Sequence, residues 1–62
     1  MARTYVRPGS SVTVEPEPGR VIVVSRDGNH APVVRRCPVS DPGAVAEGIG
    51  RDLIEDGYTL AA

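Results

Sequence analysis

Few of the 62 residues in this chain are of a type that does chemistry. His30 and Cys37 are its only histidine and cysteine. A structural zinc site takes four ligands, usually Cys and His at close spacing, so one copy of the chain does not supply a set. A lone cysteine also excludes an intrachain disulfide. Ser25, His30 and Asp27 have the residue types of a hydrolytic triad. In the hairpin register derived below, however, Ser25 and His30 are cross-strand neighbours and Asp27 sits in the turn, so no cleft is implied. Glu55 and Asp56 are adjacent, and successive helical residues diverge by about 100 degrees, which does not make an acid–base pair. The glycines form neither GxGxxG nor GxxxxGK. The expectation is a protein that is not an enzyme and has no metal, cofactor or small-molecule substrate.

What remains is charge and apolar surface. All seven basic residues are arginine, a usage that reads as the codon bias of a GC-rich genome. The net charge of −1 conceals a split. Residues 1–39 hold six arginines against Glu15, Glu17 and Asp27, giving +3, whereas residues 40–62 hold Arg51 against Asp41, Glu47, Asp52, Glu55 and Asp56, giving −4. Such asymmetry marks either an interaction surface or complementarity within the molecule.

The element that positions these charges is Gly19–Arg36, which reads as one β-hairpin. Val21, Ile22, Val23 and Val24 are all β-branched and suit a pleated surface. Asp27-Gly28 is a two-residue turn accepting positive φ at both positions. That loop pairs Arg26 with Asn29, Ser25 with His30, Val23 with Pro32, Ile22 with Val33 and Val21 with Val34. Arg20 then faces Arg35, with Arg26 on the same face and Arg36 on the other. Like charges directly opposed are destabilising, so Arg20, Arg26 and Arg35 become candidate anion or nucleic-acid contacts. Aromatic platforms for stacking bases are almost absent, with only Tyr5 and Tyr58 and no Phe or Trp, which argues against single-strand or RNA binding. Pro32 blocks further pairing on its outer side, so the return strand is expected at a sheet edge and Val21–Val24 inside.

Around the hairpin, residues 3–7 form a short strand with Tyr5 on one face and Thr4 and Val6 on the other. Arg7-Pro8-Gly9-Ser10 is a type II turn. Ser11–Glu15 alternates, with Val12 and Val14 inward. Residues 15–19 break that strand, with Pro18-Gly19 as another turn. Asp41 as N-cap and Pro42 at the first helical position start a helix over 42–56. Its apolar stripe is Val45, Ile49 and Leu53, with Ala46 and Ile54 beside it. Gly48 and Gly50 weaken the helix or allow close approach to the sheet, and Gly57 is a natural helix stop. Residues 57–62 form a tail or a last short strand. The fold class is therefore α+β: one domain over 1–62, an antiparallel β-meander of about four strands over 3–36, and a C-terminal helix covering one face.

Tyr58-Thr59-Leu60-Ala61-Ala62 resembles the end of the tag that transfer-messenger RNA adds to stalled bacterial proteins, which finishes Tyr-Ala-Leu-Ala-Ala. The likeness covers five residues and departs at Thr59. It implies recognition of Leu60, Ala61 and Ala62 by a Clp-family unfoldase, as a degradation signal.

Ile, Val and Leu number fifteen, about a quarter of the chain and above the roughly 20% typical of disordered segments. So short a chain nevertheless buries only about 60% of its unfolded surface, and a partner commonly supplies the missing stability. The sheet face opposite the helix is the expected docking surface, through Ile22, Val23, Val24, Val33 and Val34. The function expected is a small protein–protein interaction or assembly module, concretely a phage virion accessory or decoration protein. A nucleic-acid-binding regulator using the hairpin arginines is the alternative, and a short-lived regulator carrying the terminal signal is a third. Without an apolar leader or a run of 18 or so apolar residues, the expected location is the cytoplasm, or a virion assembled from it.

Overall fold

The computed structural model describes residues 1–61. Five strands and one helix follow in the order β1 (Arg3–Arg7), β2 (Ser10–Glu17), β3 (Arg20–Asp27), β4 (Val33–Pro38), α1 (Pro42–Glu55) and β5 (Thr59–Leu60). The strands form one antiparallel sheet in the order β4-β3-β2-β1-β5. This is a small α+β meander with a single C-terminal helix. The connection through α1 carries the chain from one sheet edge to the other.

The first two hairpins follow from their Pro-Gly turns. Gly9 and Gly19 adopt φ of 79° and 78°, the positive value that the third position of a type II turn requires. Arg7 faces Ser10 and Glu17 faces Arg20 across these turns. β2 runs on to Glu17 rather than ending at Glu15, with Pro16 inside it. Pro16 opposes Val21 at a non-hydrogen-bonded site, so its missing N–H points toward β1. There β1 has already ended, since its pairing stops at Arg3 with Val14. The proline costs the ladder nothing.

Tyr5, Val12, Val14, Val21 and Tyr58 are the buried residues of the core, and Val21 is 0% exposed. Val23, Val39, Val45, Ala46, Ile49 and Leu53 pack against them. Both tyrosines thus belong to the core. Ile54, expected beside the helical stripe, instead stands exposed.

Each end of α1 is satisfied chemically. Asp41 Oδ1 accepts the Ala44 N–H at 3.2 Å. At the other end Gly57 adopts φ of 94°. The Gly57 N–H reaches the Ile54 carbonyl at 3.1 Å and the Tyr58 N–H reaches the Leu53 carbonyl at 3.0 Å. This is a Schellman cap. Gly50 packs against the hydroxyl end of Tyr5: a Cβ there would overlap Tyr5 Oη and stand 2.8 Å from Cζ, whereas one at Gly48 would meet nothing. Only Gly50 serves close approach.

The tail is a strand, β5, in which Thr59 opposes Val6 and Leu60 opposes Tyr5. The Ala61 N–H donates to the Thr4 carbonyl at 2.8 Å. No helix among the described residues is long and apolar enough to cross a membrane.

The third hairpin departs from expectation. Ser25 pairs with Val33, Val24 with Val34, Val23 with Arg35, Ile22 with Arg36, Val21 with Cys37 and Arg20 with Pro38. This register differs by three residues from one closing at Asp27-Gly28, and an odd shift turns every β4 side chain to the other face. Asp27 remains in β3, opposite Ser10. The turn follows it, with Gly28 at φ of 53° and the His30 N–H on the Asp27 carbonyl at 3.0 Å. The observed register leaves Pro32 outside the ladder and ends the opposition of Arg20 to Arg35. It also brings the Val39 N–H onto the Gly19 carbonyl at 3.1 Å, which delivers Val39 to the core and Asp41 to the start of α1.

Candidate interaction surface

Strand alternation sorts the side chains onto two faces. Tyr5, Val12, Val14, Val21 and Val23 share the face under α1. The helix packs on β1, β2, β3 and β5, while β4 lies outside its footprint among the described residues. The other face is open. Across it run two rows set by cross-strand pairing, Val34–Val24–Thr13–Thr4 and Arg36–Ile22–Glu15. The Thr4 and Thr13 hydroxyls hydrogen-bond at 3.0 Å, as a close non-hydrogen-bonded pair allows. Ile22 and Val24 are half-buried, and Val34 at the edge is 46% exposed.

Five residues were expected to form one docking patch, but strand alternation sets Val23 on the other face from Ile22 and Val24, and the register exchanges the faces of Val33 and Val34. Ile22, Val24 and Val34 share the open face. Val23 lies on the helix side and packs against the core. Val33 shares that side of the sheet but lies past the helix, 52% exposed.

The arginines divide as well. Arg20 and Arg26 are on the open face at opposite ends of β3, and Arg35 is on the helix side of β4. Arg20 no longer faces Arg35; its Nε holds Glu17 Oε1 at 2.9 Å. The guanidinium that does join the open face is Arg36, beside Ile22. Arg36 was set apart by the expected register, and no local signal corrected it, because Pro32 and Pro38, six positions apart, direct their nitrogens outward in either register. No ion pair involves Arg26, Arg35 or Arg36 among the described residues, nor Glu47, Asp52 or Glu55 on α1. Sheet and helical region meet in one ion pair, Arg7 Nη1 to Asp56 Oδ2 at 3.3 Å. The charge split is not consumed within the fold.

The chemistry-bearing residues stay apart. Ser25 faces Val33 rather than His30. The exposed His30 places Nδ1 at 3.0 Å from the Asp27 carbonyl, a turn contact. Cys37 is half-buried opposite Val21. Glu55 ends α1 and Asp56 is its C-cap. No group of three or more metal-ligating side chains occurs among the described residues. A cleft of about 180 Å³ lies between α1 and β1–β2, floored by Tyr5 and Val14 and flanked by Arg3 and Glu47, and a wider depression of about 480 Å³ lies open on the surface of α1 beside Ile49 and Leu53.

At the C-terminus, Leu60 is in β5 and Ala61 is bonded to β1. Ala62, the last residue of the expected degradation signal, lies outside the described residues. Comparison of the chain with family models, curated proteins and solved structures finds no significant match.

Proposed function

We propose that this chain is a non-catalytic protein–protein interaction module that docks through its open sheet face. One observation supports the reading above others: a single helix covers one side of the sheet, leaving Ile22, Val24 and Val34 uncovered beside unpaired arginines. A virion accessory subunit is the assembly form of this proposal and rests on size and composition. The nucleic-acid alternative has less support, because Arg20 is engaged by Glu17 and Arg35 is on the opposite face from Arg20 and Arg26.

A random peptide library selected on the whole chain tests the reading. Enriched binders should lose at least tenfold in affinity for Ile22→Asp, which keeps its circular dichroism because residue 22 faces outward. Val23→Asp should instead unfold the protein, since Val23 packs on the core. Binders that hold Ile22→Asp and Val24→Asp as tightly as the original chain would defeat the proposal.

A further inference from the structure

β4 is the longer edge of the sheet, and half of its main chain is unpaired. In an antiparallel ladder, successive residues direct N–H and C=O alternately toward and away from the neighbour. The Val39–Gly19 bond fixes the parity. Val33, Arg35 and Cys37 therefore bond to β3, while Val34 and Arg36 direct their N–H groups outward. Pro32 and Pro38 bracket these two donors. Neither face of the strand is covered: every β4 residue except Cys37 is exposed. Its side chains set Arg36 and Val34 on one face and Arg35 and Val33 on the other, with both guanidinia free of carboxylates.

We infer that β4 receives an extended acidic segment of a partner protein as an added strand, held by the Val34 and Arg36 main chain and by the guanidinia of Arg35 and Arg36. This rests on the interaction-module reading and specifies its partner. Strand addition takes affinity from main-chain bonds and specificity from the alternating side chains. An antiparallel segment with two successive carboxylates followed by two apolar residues sets an acid opposite each arginine and an apolar group opposite each valine. A second copy of β4 is the wrong occupant, because a two-fold pairing about Arg35 sets that guanidinium directly against its own copy and adds two arginines to an edge that already carries two, and like charges across strands repel.

The probe is a fluorescent synthetic peptide with two successive glutamates followed by two valines between threonine flanks. Its control has lysines in place of the glutamates. The full chain should bind the glutamate peptide at least tenfold more tightly than the control, with the difference shrinking as salt rises. Arg35→Glu combined with Arg36→Glu should reverse the preference. Val34→Pro should abolish binding while leaving the β3 ladder intact, since it removes an N–H that no intrachain bond uses. Peptides N-methylated at the amides facing β4 should fail in the same way, independently of any effect of proline on folding. Equal binding of the two peptides, or unchanged binding to Val34→Pro or by the N-methylated peptides, would overturn the inference. Library binders sensitive to Ile22→Asp but indifferent to Val34→Pro would refute strand addition and leave open-face docking standing. A dimer whose Val34 and Arg36 amides are protected without peptide would assign the edge to a second copy and also overturn it.

Discussion

The two edges of this sheet are finished in different ways. At the β5 edge the strand is two residues long and follows directly from the helix cap. Tyr58 is buried, its hydroxyl lies 2.7 Å from Ser10 Oγ, and the Arg7 guanidinium stacks 4.4 Å above its ring. Arg7 also donates to the Asp56 carbonyl at 3.0 Å. At the β4 edge six residues run with neither face covered by any of the described residues, and the protection there is two prolines and two arginines. Both are recognised ways of keeping an edge from aggregating. Shortness closes an edge to every partner. Charge and proline close it only to the wrong ones, and leave a short window for a complementary strand.

That contrast can be broken from the packed side first. Gly50→Ala should lose about 1–3 kcal/mol by urea denaturation, as overpacking against Tyr5 outweighs the helix propensity of alanine. A gain of about 1 kcal/mol would mean that α1 does not rest on that ring. Next comes a matched pair. Val21→Ala should cost roughly 2 kcal/mol through lost burial and a cavity, whereas Val33→Ala at the uncovered edge should stay within about 0.5 kcal/mol; equal costs would erase the distinction between the regions. Gly57→Ala forces an L side chain into the left-handed region and should cost about 1 kcal/mol, lowering the thermal midpoint. Smallest of all, Arg36→Ala should leave stability within about 0.5 kcal/mol, because no intramolecular partner is lost. A larger drop in the midpoint would show that Arg36 is engaged within the fold.

The same division governs what could be read in advance. β1, both Pro-Gly turns, the inward Val12 and Val14, and the Asp41–Gly57 limits of the helix were legible because each depends on short-range rules of φ, capping and alternation. The β3–β4 register was not. Asp27-Gly28 satisfies a local hairpin rule and would have placed Val34 on the helix side, but the route of the chain out of β4 prevailed: Val39 must reach Gly19 and the core before Asp41 can start α1. Because the error was odd, it exchanged the faces of Arg35 and Arg36 and of Val33 and Val34, while Val23 was set apart from Ile22 and Val24 by alternation alone. Tyr5 and Tyr58 were missed as core residues because their partners, Gly50 and Ser10, are distant in sequence. The open face was anticipated in outline, since one helix covers one side, but which valines occupy it depends on that register.

The most direct test is amide hydrogen exchange by NMR on the free chain, residue by residue along β4. Protected Arg35 and Cys37 alternating with fast-exchanging Val34 and Arg36 is the predicted pattern, and it establishes which amides β4 gives to β3 and the vacancy of the edge. Protected Val34 and Arg36 with exposed Arg35 would contradict it, because the strand would then be paired through its other parity and the proposed docking edge would not exist.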